Sequence, residues 1–520
     1  MPIAPELPAE PPPRAVAPPS TRIVNVLCAA LAAAVVARLW IAPLRTSLWL
    51  DEFGTWWVTN GRFGEILGRA RIFPQSLPYA ALVWLTRAAN GGGSSELVLR
   101  ITSLAAGLLL AWATWRCGEE LFDRDTGLLA AGLLVAFPPV VAESHDARPY
   151  ALAMLAVTVA SWMLARWARR LRRGDAAAYA ASATATVYIH YLFATVLPAH
   201  AAWLAIVLRR RAAARIRAGQ IAAALAAVGI LCVPATLLVL EIGRTASSHS
   251  YRDAPSAGDI LAPLLPQRVL WPLLGSVLVV LVASRFRVRL RLHHPPESAR
   301  DALSLLLLWT TVPIALLAGV AWTTGVGVFD SRYVTSVIPA QALLLAWTLR
   351  RLEPAGGRRA VLALYLTAVL VGRGLRPEPA RESWRDAAAA VRSANHGRPV
   401  LLGGTYIESK SVARDRSPAS LAYLAAPLEY YDAGGTVTLL PLRTAAAPDP
   451  DAEAYADRVL ARAGFADGFA LVERQTRFPS WSARLEARAR ERGLAMREVW
   501  RAERMRAWVF ERLPVRSSGS

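Results

Sequence analysis

Residues 302–322 read ALSLLLLWTTVPIALLAGVAW, a stretch without a charged side chain. About 20 apolar residues are enough for one helix to cross the roughly 30 Å of hydrocarbon in a bilayer. A group of arginines precedes this stretch at 285–300, and a more polar segment follows it. The pattern therefore predicts a membrane-spanning helix that is anchored by positive charge at its first end.

Apolar runs of this kind recur along the chain, which is 54% hydrophobic. Together they predict about eleven membrane helices. A shorter apolar stretch at 77–89 predicts an interfacial helix within the loop 45–96, between the first two spans. The other runs are 22–44, 97–117, 125–142, 149–165, 219–240 and 332–349, with weaker ones at 176–193, 194–208, 268–284 and 359–375.

The formal net charge of +21 lies mostly in short loops between these runs. Arginine clusters occur at 166–173, 209–217, 285–300 and 350–359. When eleven helices are threaded from a cytoplasmic N-terminus, all four clusters fall on the cytoplasmic side, as the positive-inside rule requires. The charge is therefore explained by membrane topology, and we expect no nucleic-acid partner.

Three regions follow from this topology. Residues 1–21 are rich in proline and predict a disordered cytoplasmic tail. Residues 22–375 form the transmembrane domain. Residues 376–515 alternate helix-like and strand-like stretches and predict a soluble α/β domain outside the cytoplasm. Cys28, Cys117 and Cys232 all lie in apolar runs, so no disulfide framework is expected. The fold class is a polytopic α-helical membrane protein with a C-terminal extracytoplasmic α/β domain.

Polar residues that could carry chemistry gather at the helix ends on the outer side. Each group also has a structural interpretation, such as an aromatic belt at the interface, a hydrophilic hairpin or an arginine that snorkels to head groups. In chain order, the groups are Asp51-Glu52 among tryptophans, His145-Asp146 with Arg148 and Tyr150, His190-Tyr191, and Arg332-Tyr333.

This combination suits group transfer from a lipid phosphate. A carboxylate can take the proton from an acceptor hydroxyl. Arginine and tyrosine can neutralise a phosphate leaving group. The sequence has no glycine-rich phosphate loop, so the pattern gives no reason to expect a nucleotide donor.

Five motifs, taken in order, resemble the GT-C superfamily of membrane glycosyltransferases. The resemblance covers roughly 22–375 and is to the dolichyl-phosphate-mannose protein mannosyltransferase-like branch (glycosyltransferase family 39-like), which includes the lipid A aminoarabinose and galacturonic acid transferases. The motifs are Asp51-Glu52 after a tryptophan, Ser95-Glu96 through Arg100-Ile101, Asp146-x-Arg148-x-Tyr150-x-Leu152, His190-Tyr191, and Arg332-Tyr333 followed by Pro339.

The resemblance implies roles for these residues. Asp51 and Glu52 would be catalytic, and Asp146, His145, Arg100 and Tyr79 would support the site. Gln75 stands where many relatives carry a histidine, so no metal ligand is assigned. No cofactor is expected, and a divalent metal is left open. The residues that would face the donor phosphate and sugar are Arg148, Tyr150, Arg332, Tyr333 and His190.

The expected function is transfer of a sugar from a polyprenyl-phosphate-linked donor to a hydroxyl on a lipid, cell-envelope glycan or protein. The alternatives are a transporter or lipid flippase, and a structural membrane anchor. Inversion at the sugar carbon is the simpler expectation, although retention stays open. Arginine dominates and Lys410 is the only lysine, which suggests a GC-rich bacterial genome and the plasma membrane as the location.

Overall fold

The structure is a computed structural model. It describes residues 19–73, 75–210, 218–249, 254–285, 288–290, 297–373, 381–414, 422–443, 449–476 and 478–512. The expected tail (1–18) and the proline-containing linker (374–380) lie outside the described residues. Residues 19–21 were expected in the tail but belong to the first helix, which begins at Pro19.

As far as Gly372, the described residues form helices that are joined by loops and turns, together with two short strands. The first helix continues through a π-helical turn and a 3₁₀ turn to Arg45. The helices are α1 (Pro19–Val35), α2 (Leu50–Thr59), α3 (Ile66–Ile72), α4 (Leu77–Ala89), α5 (Glu96–Leu121), α6 (Arg124–Leu134), α7 (Pro138–Ser144), α8 (Tyr150–Arg170), α9 (Arg173–Ile189), α10 (Val196–Arg210), α11 (Ala218–His249), α12 (Ala257–Leu264), α13 (Gln267–Ala283), α14 (Glu297–Thr324), α15 (Ile338–Leu349) and α16 (Ala355–Gly372).

Seven helical segments in the described part of the chain are long and apolar enough to cross a bilayer. Two helix pairs, α6 with α7 and α12 with α13, raise the count to nine if each bent pair forms one span. Pro138 and Pro139 stand at the first break, where a proline cannot continue the preceding helix. Two further predicted spans fall on shorter helices, α9 with 17 residues and the apolar segment Tyr333–Leu349. The eleven predicted segments thus all fall on helices, and the number that spans stays a prediction.

The arginine clusters converge at one end of the helix bundle. Arg170 pairs with Glu120, and Arg350 and Arg358 pair with Asp123 and Asp125. Arg210 pairs with Asp301 in the same way. A short antiparallel ladder joins β1 (Arg289–Leu290) to β2 (Leu352–Glu353) and so ties the third cluster to the fourth. In α5, Glu120 lies twenty residues beyond Arg100, or about 30 Å along the axis, which matches the thickness of the hydrocarbon layer.

The C-terminal region contains a five-stranded mixed sheet in the order β4-β3-β5-β7-β6. Strand β3 runs parallel to β4 and β5, whereas β7 is antiparallel to both of its neighbours. Strand-like stretches of the sequence at 399–402, 436–440, 469–472 and 506–510 predict all of these strands except β6, which carries charged residues and lies at the edge of the sheet. The elements are α17 (Trp384–Asn395), β3 (Val400–Gly403), α18 (Ala426–Tyr430), β4 (Val437–Leu439), α19 (Pro450–Leu460), β5 (Gly468–Arg474), α20 (Ser482–Arg490), β6 (Leu494–Ala502) and β7 (Met505–Arg512).

This sheet region packs directly on the loop between the first two long helices. One hydrophobic cluster contains Phe53 and Trp57 of α2 together with Trp384 and Tyr423 of the C-terminal region. Phe53 meets the edges of Trp384, Tyr430 and Tyr431 at centroid distances of 6.0, 5.8 and 5.9 Å. Aromatic pairs in this geometry add stability beyond the area that they bury. The short helix α2 is therefore held between the helix bundle and the sheet.

Candidate active site

Asp51 and Glu52 are the second and third residues of α2, in the first turn after its N-cap residue, Trp49. Acidic residues are favoured at this position because the first N–H groups of a helix have no intrahelical acceptor. Neighbouring residues of a helix point about 100° apart. The two carboxylates consequently face different partners.

Glu52 faces inward and is fully buried. Its two oxygens accept from Nε and Nη2 of Arg100 at 2.7 and 2.6 Å. They also accept from the backbone N–H of Ala147 at 2.7 Å and of Trp49 at 3.0 Å. Four donors satisfy this carboxylate, so its geometry is that of a structural anchor that ties α2 to α5 and to the turn at 145–149.

Asp51 faces outward, and a quarter of its side chain is exposed. Its Oδ2 accepts from Nη1 of Arg332 at 2.5 Å. Nη1 of Arg148 donates to the Asp51 carbonyl at 3.2 Å. Burial opposes the negative charge, but Arg148 and Arg332 outweigh it and hold the pKa of the Asp51 carboxyl below its usual range. Asp51 is therefore an ionised carboxylate beside two guanidinium groups.

Three aromatic rings lie next to these arginines. The Tyr150 ring centroid is 5.0 Å from that of His190 and 6.4 Å from that of Tyr333. Arg148 and Arg332 lie 5.9 and 6.0 Å from the Tyr150 ring, within the range of cation–π attraction. The five residues that were expected to face the donor therefore form one cluster with Asp51.

The turn between α7 and α8 holds two of the expected supporting residues. Asp146 accepts from Arg381 at 2.7 Å, and burial raises the pKa of Asp146 to about 6 in spite of that arginine. Burial lowers the pKa of His145 to about 4, and its Nδ1 finds no partner in the described part of the chain. Both residues line a small pocket together with Trp49, Arg100 and Arg381.

Tyr79 and Arg100 form hydrogen bonds that join neighbouring segments of the site. The Tyr79 hydroxyl lies 2.7 Å from Ser103 Oγ, which in turn donates to the Arg148 carbonyl at 3.1 Å. Besides Glu52, Arg100 donates to the carbonyls of Pro43, Leu44, Thr46 and Ser47 at 3.1, 3.2, 2.9 and 3.2 Å. Within the described ranges, no three His, Cys, Asp or Glu side chains come close enough to hold a metal ion.

A cavity of about 1760 Å³ opens beside the cluster. Arg332, Tyr333 and Tyr191 line it from the bundle, and helices α12 and α13 contribute Asp259 and Arg268. The C-terminal region closes it with Arg474, Gln475 and Arg504, among other residues. The cavity therefore lies between the two parts of the chain, with both cationic and apolar walls.

Four residues near Asp51 were missed by the sequence analysis: Arg381, Glu382, Tyr406 and Arg474. Arg381 and Arg332 both lie over the Trp49 ring, at 5.0 and 5.3 Å from its centroid. Glu382 and Tyr406 contact the backbone of Leu50. They belong to the C-terminal region, where the sequence shows no catalytic motif, and no spacing rule connects them to Asp51.

The sequence profile of the dolichyl-phosphate-mannose-protein mannosyltransferase family matches residues 78–238. Two crystal structures of ArnT from Cupriavidus metallidurans have similar folds. The structure bound to undecaprenyl phosphate has a TM-score of 0.55 at 14% identity, covering 95% of this chain and 98% of that chain. The apo structure has a TM-score of 0.54 at 15% identity, covering 94% and 98%. The sequence has no match among curated proteins.

The fold is similar to that of ArnT and is that of the GT-C membrane glycosyltransferases. Together with the match of residues 78–238 to the dolichyl-phosphate-mannose-protein mannosyltransferase family, it indicates a glycosyltransferase. The resemblance inferred from the five motifs is thereby confirmed.

Proposed function

We propose that this protein transfers a sugar from a polyprenyl-phosphate-linked donor to a hydroxyl of a lipid, cell-envelope glycan or protein acceptor. One observation carries the proposal. The ionised Asp51 carboxylate contacts Arg332, and Arg332 lines a cavity of about 1760 Å³. A base and a phosphate-binding cation thus meet at the edge of a space that can hold two large substrates.

In this scheme, Asp51 is the general base. Its carboxylate takes the proton of the acceptor hydroxyl as the oxygen attacks the anomeric carbon of the sugar. The bond between that carbon and the phosphate oxygen breaks, and the electron pair leaves with the phosphate. Arg332 and Arg148 stabilise the charge that builds up there, because guanidinium groups bind phosphate with several donors.

The donor sugar is assigned to the aromatic rings beside the arginines. Tyr150, His190 and Tyr333 offer flat faces and hydroxyl or ring nitrogen atoms within one cluster. His190 Nδ1 has no partner among the described residues and is available to a sugar hydroxyl. Glu52, which the sequence paired with Asp51 as catalytic, takes a structural role in this scheme because four donors already engage it.

The location follows from the arginine-rich end of the bundle. Arginine clusters favour the cytoplasmic side of a membrane. The site would then face away from the cytoplasm, at the outer surface of a bacterial plasma membrane, with the sheet region outside as well. Donors anchored by a polyprenyl chain reach such a site by lateral diffusion. The ArnT structure with bound undecaprenyl phosphate supports this donor class by analogy.

Labelled transfer in membranes tests the proposal. Radiolabelled polyprenyl-phosphate sugars would be supplied one at a time to membranes that contain the wild type or Asp51→Asn. We expect label from one donor in an acceptor fraction, and a loss of at least about a hundredfold in the variant. Asp467→Asn removes an exposed carboxylate of the sheet region and serves as the matched control. Full transfer by a correctly inserted Asp51→Asn protein would refute the assigned chemistry.

A further inference from the structure

Two side chains of the C-terminal region form hydrogen bonds with the backbone of Leu50, the residue immediately before Asp51. Glu382 Oε2 accepts from the Leu50 N–H at 2.9 Å, and the Tyr406 hydroxyl donates to the Leu50 carbonyl at 2.5 Å. Both side chains are buried, with 2% of Glu382 and 5% of Tyr406 exposed. The N–H and the carbonyl of Leu50 are therefore both hydrogen-bonded by residues that lie more than 300 positions later in the sequence.

Glu382 is itself fixed in place by a further hydrogen bond and by an ion pair. Trp384 Nε1 donates to the same oxygen at 2.7 Å, and Arg474 Nε lies 2.6 Å from the other oxygen. A carboxylate with several strong donors has little freedom to rotate. Because Arg474 also lines the large cavity, this network runs from the cavity wall to the backbone beside Asp51.

The same short segment is anchored at three consecutive N–H groups. Leu48 donates to the Tyr431 hydroxyl at 2.8 Å, Trp49 to Glu52 at 3.0 Å, and Leu50 to Glu382. Leu50 is the first residue of α2, where a backbone N–H has no acceptor inside the helix. The external contacts therefore decide where α2 begins and which way its first turn faces.

The orientation of Asp51 depends on that first turn. Its side chain projects from the residue after Leu50, and its carboxylate must reach both Arg332 and a substrate hydroxyl. An error of about 1 Å in such a group can lower a rate on the order of a hundredfold. We propose that Glu382 and Tyr406 are positioning residues, which hold the Leu50 backbone so that the Asp51 carboxylate points at the acceptor. This inference rests on the proposed role of Asp51.

If Tyr406 only held the C-terminal region against the helix bundle, other hydrogen bonds between these two regions would serve the same purpose. The Tyr430 hydroxyl, for example, donates to the Ser94 carbonyl, which is not in the 48–52 segment. Tyr430→Phe and Tyr406→Phe each remove one hydroxyl that joins the C-terminal region to the bundle side. Only Tyr406→Phe releases the residue next to Asp51, so this pair separates positioning from general packing.

The experiment measures kcat and KM of the full-length protein in detergent or proteoliposomes, with the donor identified by the transfer assay. For Tyr406→Phe and Glu382→Gln, we expect kcat to fall on the order of 10- to 100-fold with little change in KM for the donor. Tyr430→Phe should keep the wild-type kcat. In an Asp51→Asn background, Tyr406→Phe should cause no further loss, because the group that it positions is gone.

Three results would overturn the inference. One is a kcat for Tyr406→Phe equal to that of Tyr430→Phe, and another is the same fractional loss with and without Asp51. The third is a change in KM with constant kcat. If Glu382→Gln does not fold, Tyr406→Phe alone decides, since it removes a single oxygen. Full activity of Asp51→Asn would instead refute the proposed function, so the two failures are distinguishable.

Discussion

Arg100 donates hydrogen bonds to both carboxylate oxygens of Glu52, from Nε at 2.7 Å and from Nη2 at 2.6 Å. Only 2% of the Arg100 side chain and 0% of the Glu52 side chain are exposed. The pair joins α5 to the first turn of α2. The pair also orients the neighbouring residue, because Asp51 then points about 100° away from Glu52 around the helix, toward Arg332. The two adjacent acids therefore lie in different environments.

Arg100→Ala should be strongly destabilising. It leaves Glu52 buried without its cation and four backbone carbonyls without their donor. Breaking a buried ion pair from one side costs about 3–5 kcal/mol. Thermal unfolding in detergent should show a large fall in Tm, whereas Arg490→Ala, which removes a partner of Glu486 on an exposed helix face, should leave Tm nearly unchanged. Equal Tm values for the two variants would contradict the anchoring role of Glu52.

Arg148→Gln should move the acidic limb of the pH profile to higher pH. In the proposed mechanism, transfer requires ionised Asp51, so activity should fall as the pH drops through the pKa of this carboxyl. Arg148 helps to depress that pKa, and its loss should raise the pKa of the Asp51 carboxyl. The measurement is kcat/KM for the acceptor across the acidic range. An acidic limb that stays in place, or moves to lower pH, would show that Asp51 is not the titrating base. Arg69→Gln, in α3, is the control.

Gly54→Ala should disturb the aromatic wall of the cavity. A Cβ at position 54 would come within 2.0 Å of the Phe73 ring, so the ring must move. Phe73 would then lose its contacts with Tyr406 and Tyr423, now at centroid distances of 5.7 and 5.2 Å. Overpacking of this kind costs about 1–3 kcal/mol. Gly68→Ala, where the new Cβ meets nothing within 4 Å, should be neutral or slightly stabilising. Matching unfolding curves for the two alanine variants would exclude this steric argument.

Tyr79→Phe should affect stability more than transfer. Its hydroxyl bonds to Ser103, which keeps its second hydrogen bond to the Arg148 carbonyl in the variant. One lost buried hydrogen bond corresponds to about 1 kcal/mol. We expect a modest fall in Tm, with KM for the donor unchanged. A large rise in that KM would instead place Tyr79 in contact with the substrate.

The helices and motifs were predictable because each depends on local sequence. Apolar length located the helices, and the order of the five motifs indicated the class. The different environments of Asp51 and Glu52 were not predictable, because the two acids are adjacent and differ only in the direction in which they point. Strand β6 was missed because its charged residues, such as Arg497 and Arg501, give no alternating apolar pattern, as is common for a protected edge strand.

Tyr406 and Glu382 could not be found by any reading of local pattern. They lie 356 and 332 positions from Leu50, in a region where neither residue belongs to a motif. Their importance comes from contacts that only the folded chain creates. Arg332 is also far from Asp51 in sequence, at a separation of 281 positions, but its Arg-Tyr motif identified it as a candidate.

The hydrogen bonds to the Leu50 backbone also affect the order of events during synthesis of the chain. During synthesis, the chain completes Asp51 and every membrane helix before residues 382 and 406 emerge from the ribosome. Until then, the Leu50 N–H and carbonyl lack the partners that they have in the finished protein. A nascent or prematurely ended chain would therefore insert into the membrane with the Asp51 carboxylate present but not yet held in the orientation of the finished protein. If Glu382 and Tyr406 position Asp51 as proposed, transfer would begin only after the C-terminal region has been made and folded.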